Sequence, residues 1–413
     1  MFNFVSCFCA SIAKMTQSIF TNQAFMRFWL ARLVGNMANM MLLVALAWHM
    51  YDLTGSAWDL GLVGLFQFVP SLVMTLPAGH VADRLHRGRI FAACMALQAL
   101  VAMLLVAAMM AHAESRVLFL SVSVLLGVAR AFMMPAQQAL TPMLVPTSDL
   151  QRAITLSSSA MQVSVIAGPA IGGVLYIWGA DVVYGACMLL FVSATALTLF
   201  VRYRHQATHM AANWSTVLAG MSFVWQRKVL LGATSLDLFA VLLGGATALL
   251  PIYAKDILHT GPEGLGLLRA APAVGALIMS LVLMRWPLRR KVGYKLLGAV
   301  AVFGLATVVF GLSQHFGLSM LALMLTGAAD NISVVTRLTL VQLETPDDMR
   351  GRVAAVNSVF IGASNQLGEF ESGATAELWG PMASVVVGGL GTMCIAALWL
   401  RLFPELARRD RLA

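Results

Sequence analysis

Charge is what this sequence has least of. Only 11% of its 413 residues are Asp, Glu, Lys or Arg, against about 25% in an ordinary soluble domain. Hydrophobic residues make up 60%, so too little polar surface exists to coat a water-soluble globule of this size. That excludes a cytosolic enzyme, a disordered chain and a secreted disulfide scaffold. Cysteine is sparse as well. The five present (Cys7, Cys9, Cys94, Cys187 and Cys394) are odd in number and scattered, and none pairs with histidines at zinc-ligand spacing. No HExxH and no GxSxG occurs, and no polar segment is long enough to build a soluble catalytic domain. No lysine follows a glycine, so a Walker A loop is absent and this chain cannot burn ATP in the P-loop manner. Enzymatic activity, a resident cofactor and a bound metal are therefore not expected.

What is abundant is the long apolar run. A spanning helix needs about 20 apolar residues, or roughly 30 to 35 with its loop. Dividing 413 residues by twelve gives about 34 each. Runs at 28–51, 60–79, 90–111, 117–135, 155–177, 182–202, 229–251, 264–284, 294–312, 317–340, 353–375 and 381–402 predict twelve transmembrane helices. A β-barrel would show alternating segments of about ten residues instead. Helices satisfy their own backbone hydrogen bonds in lipid.

The net charge of +9 suits a membrane protein with cytoplasmic basic loops better than a nucleic-acid binder, since no basic stretch is interleaved with aromatics. With the N-terminus inside, 23 Lys and Arg fall on the cytoplasmic side. Arg116, Lys255 and Arg269 fall outside, and Arg337 lies within a span. Miscounting one span would scramble that split, so both termini are expected in the cytoplasm. Residues 1–14 are only weakly like a signal peptide, with Met15 an alternative start.

The expected organisation is a cytoplasmic segment 1–26, a six-helix bundle 27–202, a linker 203–228, a second bundle 229–402 and a tail 403–413. Residues 213–226 of the linker have the pattern of an amphipathic interfacial helix. The halves look like copies. Residues 61–89 align with 264–291 so that Pro70 meets Pro272, Arg87 meets Arg289 and Arg89 meets Lys291. Internal repeats with a site between them are a common transporter plan.

Two stretches resemble known signatures. Gly79-His-Val-Ala-Asp83-Arg84-Leu-His-Arg87-Gly-Arg89 is similar to the loop 2–3 motif of the major facilitator superfamily. His86 and Gly88 depart from it, and the second half lacks the Gly and Asp, having Leu281 and Arg285 there. Gly168-Pro169-Ala-Ile-Gly172-Gly173 resembles the helix 5 motif of antiporters in that superfamily, with Ser164 replacing its upstream glycine. The segments 24–32 and 344–353 resemble the enterobactin-exporter and macrolide-efflux branch. The resemblance implies an all-α integral membrane fold of two pseudo-symmetric six-helix bundles. It implies a cavity lined by helices 1, 4, 7 and 10, alternating access and proton-coupled efflux. A metabolite importer or facilitator, and a non-transporting scaffold or sensor, stay open as alternatives. The expected partners are a small-molecule substrate, protons and the lipid bilayer, with the chain acting as a monomer.

An ionised side chain at the bilayer centre costs about 3 kcal/mol or more, which makes it a functional candidate. Asp237, Asp330, Glu369 and Glu371 are therefore the candidate proton carriers. Asp237 and Asp330 come first, because the resemblance places their helices at the cavity. Glu369 and Glu371 are two apart and cannot face one point. The same acids also suit structural pairing with Arg337, Arg32 or helix ends. Asp330 and Arg337 share a helix face but sit about 10 Å apart along it. Candidate cavity residues are Arg32, Asn36, Asn39, Met40, Phe132, Phe239, Asn331 and Arg337. Arg130, placed at the cytoplasmic end of span four, is expected either to latch onto Asp83 or to anchor the loop.

Overall fold

The computed structural model describes residues 20–201, 214–288, 290–346 and 349–410. Twelve long helices order the described residues. In the first half they are α1 Gln23–Thr54, α2 Ala57–Arg84, α3 Arg87–Met110, α4 Arg116–Leu144, α5 Leu150–Tyr176 and α6 Ala180–Leu199. In the second half α7 spans Lys228–Gly244 and continues through the short segments Ala246–Leu249, Leu250–Ile252 and Tyr253–Ile257. Then come α8 Pro262–Arg285, α9 Val292–Leu312, α10 Phe316–Glu344, α11 Arg350–Trp379 and α12 Pro381–Leu402. An unnumbered linker helix, Trp214–Gln226, precedes α7, and a short tail helix, Pro404–Ala407, ends the fold. The expected residues 1–14 and the first part of the predicted linker, 203–213, lie outside the described residues.

Among the described residues, eleven helices are long and apolar enough to cross a membrane. The twelfth, α11, has 30 residues but carries Arg350, Arg352, Glu369, Glu371 and Glu377, which lowers its hydropathy. It is shielded by packing among α2, α7 and α12. Most helices overrun their apolar runs. The second reaches Arg84, so the basic signature starts in a last helical turn rather than a loop; the Asp83 and Arg84 side chains lie outside the described set. The fourth reaches Leu144 despite Pro135 and Pro142. Internal prolines also sit in α2, α5 and α8. Membrane helices tolerate them because neighbouring helices meet the freed carbonyls.

The two halves pack alike. In the first, α1 meets α5 and α6, α2 meets α4, and α3 meets α4 and α6. In the second, α7 meets α11 and α12, α8 meets α10, and α9 meets α10 and α12. Matching turns finish the pattern: α5 passes to α6 through Gly179 (φ +122°) and α11 to α12 through Gly380 (φ +86°), a backbone region that glycine enters without penalty. The halves meet on two equivalent seams, α5 against α8 and α2 against α11. The first half is cored by Phe25, Phe28, Phe91, Phe119, Tyr184 and Phe191.

The end of the bundle carrying the linker helix, which packs on the start of α11, is termed here the linker end. The opposite end is the far end, and the joins between the halves cluster there.

Candidate functional site

Close approach of backbone at the seams puts the site together. A Cβ on Gly173 of α5 would collide with the Pro262 carbonyl and lie 3.1 Å from Gly266 of α8. A Cβ on Gly373 of α11 would lie 2.7 Å from the Cα of Gly61 in α2. Small residues let helix backbones touch in lipid. Gly168 and Gly172 face α1 instead, against Met40 and Met41. The glycine motif of α5 thus joins α1 on one side and the opposite half on the other, with Pro169 set against Gly266.

Charged groups close the same end. Lys255 pairs with Asp52, and Tyr51 donates to Asp256; both join the end of α1 to the π turn that ends α7. Glu377 of α11 accepts from the Trp58 amide at 3.1 Å and from the Ser56 hydroxyl at 3.2 Å, so it sits at the N-terminus of α2, where a carboxylate is favoured. The rings of Trp58 and Phe370 meet edge to face at 5.3 Å. Arg116 braces the first half against Asp59 at 2.6 Å.

Below this closure lies a central cavity of about 470 Å³, lined by both halves. Its apolar wall includes Leu43, Ala47, Leu60 and Val63, and its polar groups are Gln67, Arg130, Arg269, Gln366 and Glu369. Arg130 is the central residue of the 29-residue α4, not a residue of the cytoplasmic end as expected; it lines this cavity together with Glu369, and the Asp83 side chain it was expected to latch onto lies outside the described residues. Arg269, expected on the outer side, lies seven residues into α8. Glu369 lines the cavity with the two arginines, near enough for both charges to act on it. Glu371 lies off this cavity, as its position two residues along the helix requires.

A second cavity of about 230 Å³ lies inside the second half, among α7, α9 and α10. Asp237, Asp330 and Ser333 supply its polar wall. Arg337 of α10 forms an ion pair with Asp237 of α7, and both side chains are buried, at 2% and 6% exposure. Asp330 is near enough for the charges of Asp237 and Arg337 to act on it. Asp237 and Asp330 thus line one cavity, and Arg337 pairs with the first of them.

The other expected cavity residues line neither space. Arg32 of α1 donates to the Gln137 side chain of α4. Asn36 lies 3.4 Å from the Met161 sulfur of α5, and Asn331 donates to Ser280 of α8 at 3.0 Å. Phe132 packs on the core of the first half, and Phe239 on Trp399 of α12, 5.7 Å between rings. Asn39 lies on α1, half-buried. Arg87 opens α3, with Nη1 3.2 Å from the Met143 sulfur of α4; Gly79 lies in α2.

One sequence signal would have found the central site. Gly168-Pro-Ala-Ile-Gly-Gly173 recurs 200 residues later as Gly368-Glu-Phe-Glu-Ser-Gly373. Glu369 thus takes the place of Pro169, and each packs on a glycine of the opposite half, Gly64 for Glu369 and Gly266 for Pro169. At the same interval Asp330 matches Arg130 and Arg337 matches Gln137. The Arg32–Gln137 and Asp237–Arg337 contacts are equivalent joins of α1 to α4 and α7 to α10.

Comparison with known proteins adds a family. The family described as transmembrane secretion effector matches residues 15–411. The chain belongs to this family of the major facilitator superfamily. Members of the family are multi-pass membrane transporters, not enzymes. The enterobactin exporter EntS of Citrobacter koseri is 25% identical over 392 residues, covering 94% of each chain. The multidrug efflux pump Tap of Mycobacterium tuberculosis is 26% identical, covering 89% of this chain and 90% of its own. Among solved structures, a bacterial homologue of the human lysosomal transporter Spinster, in an inward-facing and occupied conformation, superposes with a TM-score of 0.74 at 14% identity. The match covers 92% of this chain and 97% of that one. This secretion-effector chain therefore has the major facilitator fold, and relatives named for efflux support its being an export transporter.

Proposed function

We propose that this protein exports a small amphipathic compound, of the drug, macrolide or siderophore kind, by proton antiport through alternating access. It acts as a monomer in the inner membrane, with both termini cytoplasmic. The observation that carries the reading is the buried cluster inside the second half, where Arg337 pairs with Asp237 and Asp330 lines the same cavity as Asp237. An uncompensated ionised carboxylate within a membrane bundle is costly. A proton on either acid balances the cluster, and losing it restores the negative charge. The membrane potential supplies about 2.3 kcal/mol per charge per 100 mV to drive that proton inward.

Sidedness follows from the basic residues. With Arg130 and Arg269 counted within spans, the sequence pattern leaves Arg116 and Lys255 for the outer side against twenty-two Lys and Arg for the cytoplasmic side. The far end is then periplasmic and closed, as in an inward-facing state. Export is favoured by relatives named for efflux and by the α5 motif standing at the far-end seam.

The test is movement in liposomes under an imposed pH gradient, with lipophilic cations, macrolides and siderophores offered as substrates. The wild type is expected to move one class in step with the gradient. Asp330→Asn, which removes the surplus carboxylate and leaves the Asp237–Arg337 pair, is expected to lose gradient dependence while still exchanging substrate. Movement indifferent to the gradient in both proteins would contradict proton antiport.

A further inference from the structure

We infer that the central cavity holds an anionic compound, its acidic group clamped between Arg130 of α4 and Arg269 of α8. The inference rests on this cavity being the transport site. Both arginines line the same cavity as Glu369, and an arginine keeps its charge at any physiological pH. Two cations and one carboxylate leave the site one positive charge in excess. A lipophilic cation entering it meets that excess; a carboxylate, sulfonate or phosphate neutralises it. The guanidinium fork suits such groups in particular, because it binds two oxygens at once.

Two further features sharpen the chemistry. The Gln366 Oε1 atom is buried, has no hydrogen-bond partner, and belongs to a residue lining this cavity. An orphaned buried acceptor is costly, so a ligand carrying a hydroxyl or N–H beside its acid satisfies it. Leu43, Leu60 and Val63 offer the ligand an apolar wall. The two arginines also come from opposite halves, so a bound anion bridges the seam that alternating access must open. Glu369 is the rival of that anion: the same guanidiniums face it when the cavity is empty of ligand. Its protonation frees them. This divides the labour, with the ligand at Arg130 and Arg269 and the transported proton at Asp237 and Asp330.

The experiment is equilibrium dialysis of the purified protein in zwitterionic lipid nanodiscs, with empty nanodiscs as background. The probes share one ring system: 2-naphthoate, its neutral amide 2-naphthamide, and the cation 2-naphthylmethylammonium. Naphthoate is expected to bind at least about tenfold tighter than either, since a desolvated charge pair loses at least that when one partner is removed. Arg130→Gln and Arg269→Gln should each erase the preference of naphthoate over naphthamide, and an unchanged unfolding temperature in the nanodiscs shows that the variants are folded. Arg269→Lys should keep part of it. Glu369→Gln should tighten naphthoate several-fold, an effect a merely structural glutamate does not produce. Naphthoate bound no better than naphthamide, cation preference, or weaker naphthoate binding in Glu369→Gln would each overturn the inference. The assay needs neither gradient nor transport, so its failure leaves proton antiport standing, and an anion preference without gradient-driven movement would overturn antiport alone.

Discussion

Arg337 reaches Asp237 from the neighbouring helix with 2% of its side chain exposed, and its Nε finds no partner. Breaking a buried pair from one side leaves a bare charge and costs about 3–5 kcal/mol, whereas replacing both partners with apolar residues is often neutral. Asp237→Leu is therefore expected to lower the unfolding temperature sharply in detergent. The double variant Asp237→Leu with Arg337→Leu should regain most of that loss while transport stays dead. A single variant as stable as the wild type would show that the pair is not formed. Sequence marked Asp237, Asp330 and Arg337 as costly in a membrane but not which would meet. Asp330 shares a helix with Arg337 and is the nearer in sequence; the bond goes instead to Asp237, 100 residues away, because α7 and α10 pack side by side.

At the scale of the element, the seams depend on glycine and the far end on charge. Gly173→Val places methyl groups where the Pro262 carbonyl and Gly266 now lie, so α5 and α8 must part there. Leu265 of α8, fully buried at present, is the reporter. With Leu265→Cys in place, adding Gly173→Val should speed its labelling by a membrane-impermeant thiol reagent several-fold. An unchanged rate would show that the seam does not hold the far end shut. The pairing of Lys255 with Asp52 predicts a charge-swap result. Lys255→Asp sets three carboxylates together with Asp52 and Asp256 and should open the far end to the same reagent. Adding Asp52→Lys should close it again, and failure of that rescue would deny the pair a latching role. Apolar run length made the helices legible, because lipid admits few alternatives. Their ends were less so. Helices outrun the bilayer by several turns: α1 has 32 residues where about 20 suffice. Arg130 and Arg269, read as lying at the cytoplasmic and outer sides of their spans, sit well inside α4 and α8. The polar helix α11 was found by its apolar segment 353–375, yet its polar face is what the other half packs against.

For the whole molecule, the repeated packing is the main physical result. One six-helix plan occurs twice, and its two seams are equivalent, α5 on α8 and α2 on α11. Sequence showed the duplication in 61–89 and 264–291, and the recurrence of Gly168–Gly173 at Gly368–Gly373 extends it. The copies diverge where the chemistry lies: Pro169 against Glu369, Arg130 against Asp330, Gln137 against Arg337. That divergence hid the central site, since the motif is recognisable in one copy and altered in the other. A molecule joined at one end by contacts between rigid halves should exchange that closure for one at the opposite end. The most direct test is a pair of spin-label distances across the halves, one at the far end (Thr54→Cys with Leu258→Cys) and one at the linker end (Val73→Cys with Val359→Cys). Both are followed in nanodiscs as pH is lowered and raised. The account predicts opposed changes: whenever the far-end distance lengthens, the linker-end distance shortens. Distances that stay fixed at both ends, or lengthen together, would contradict alternating access in this chain.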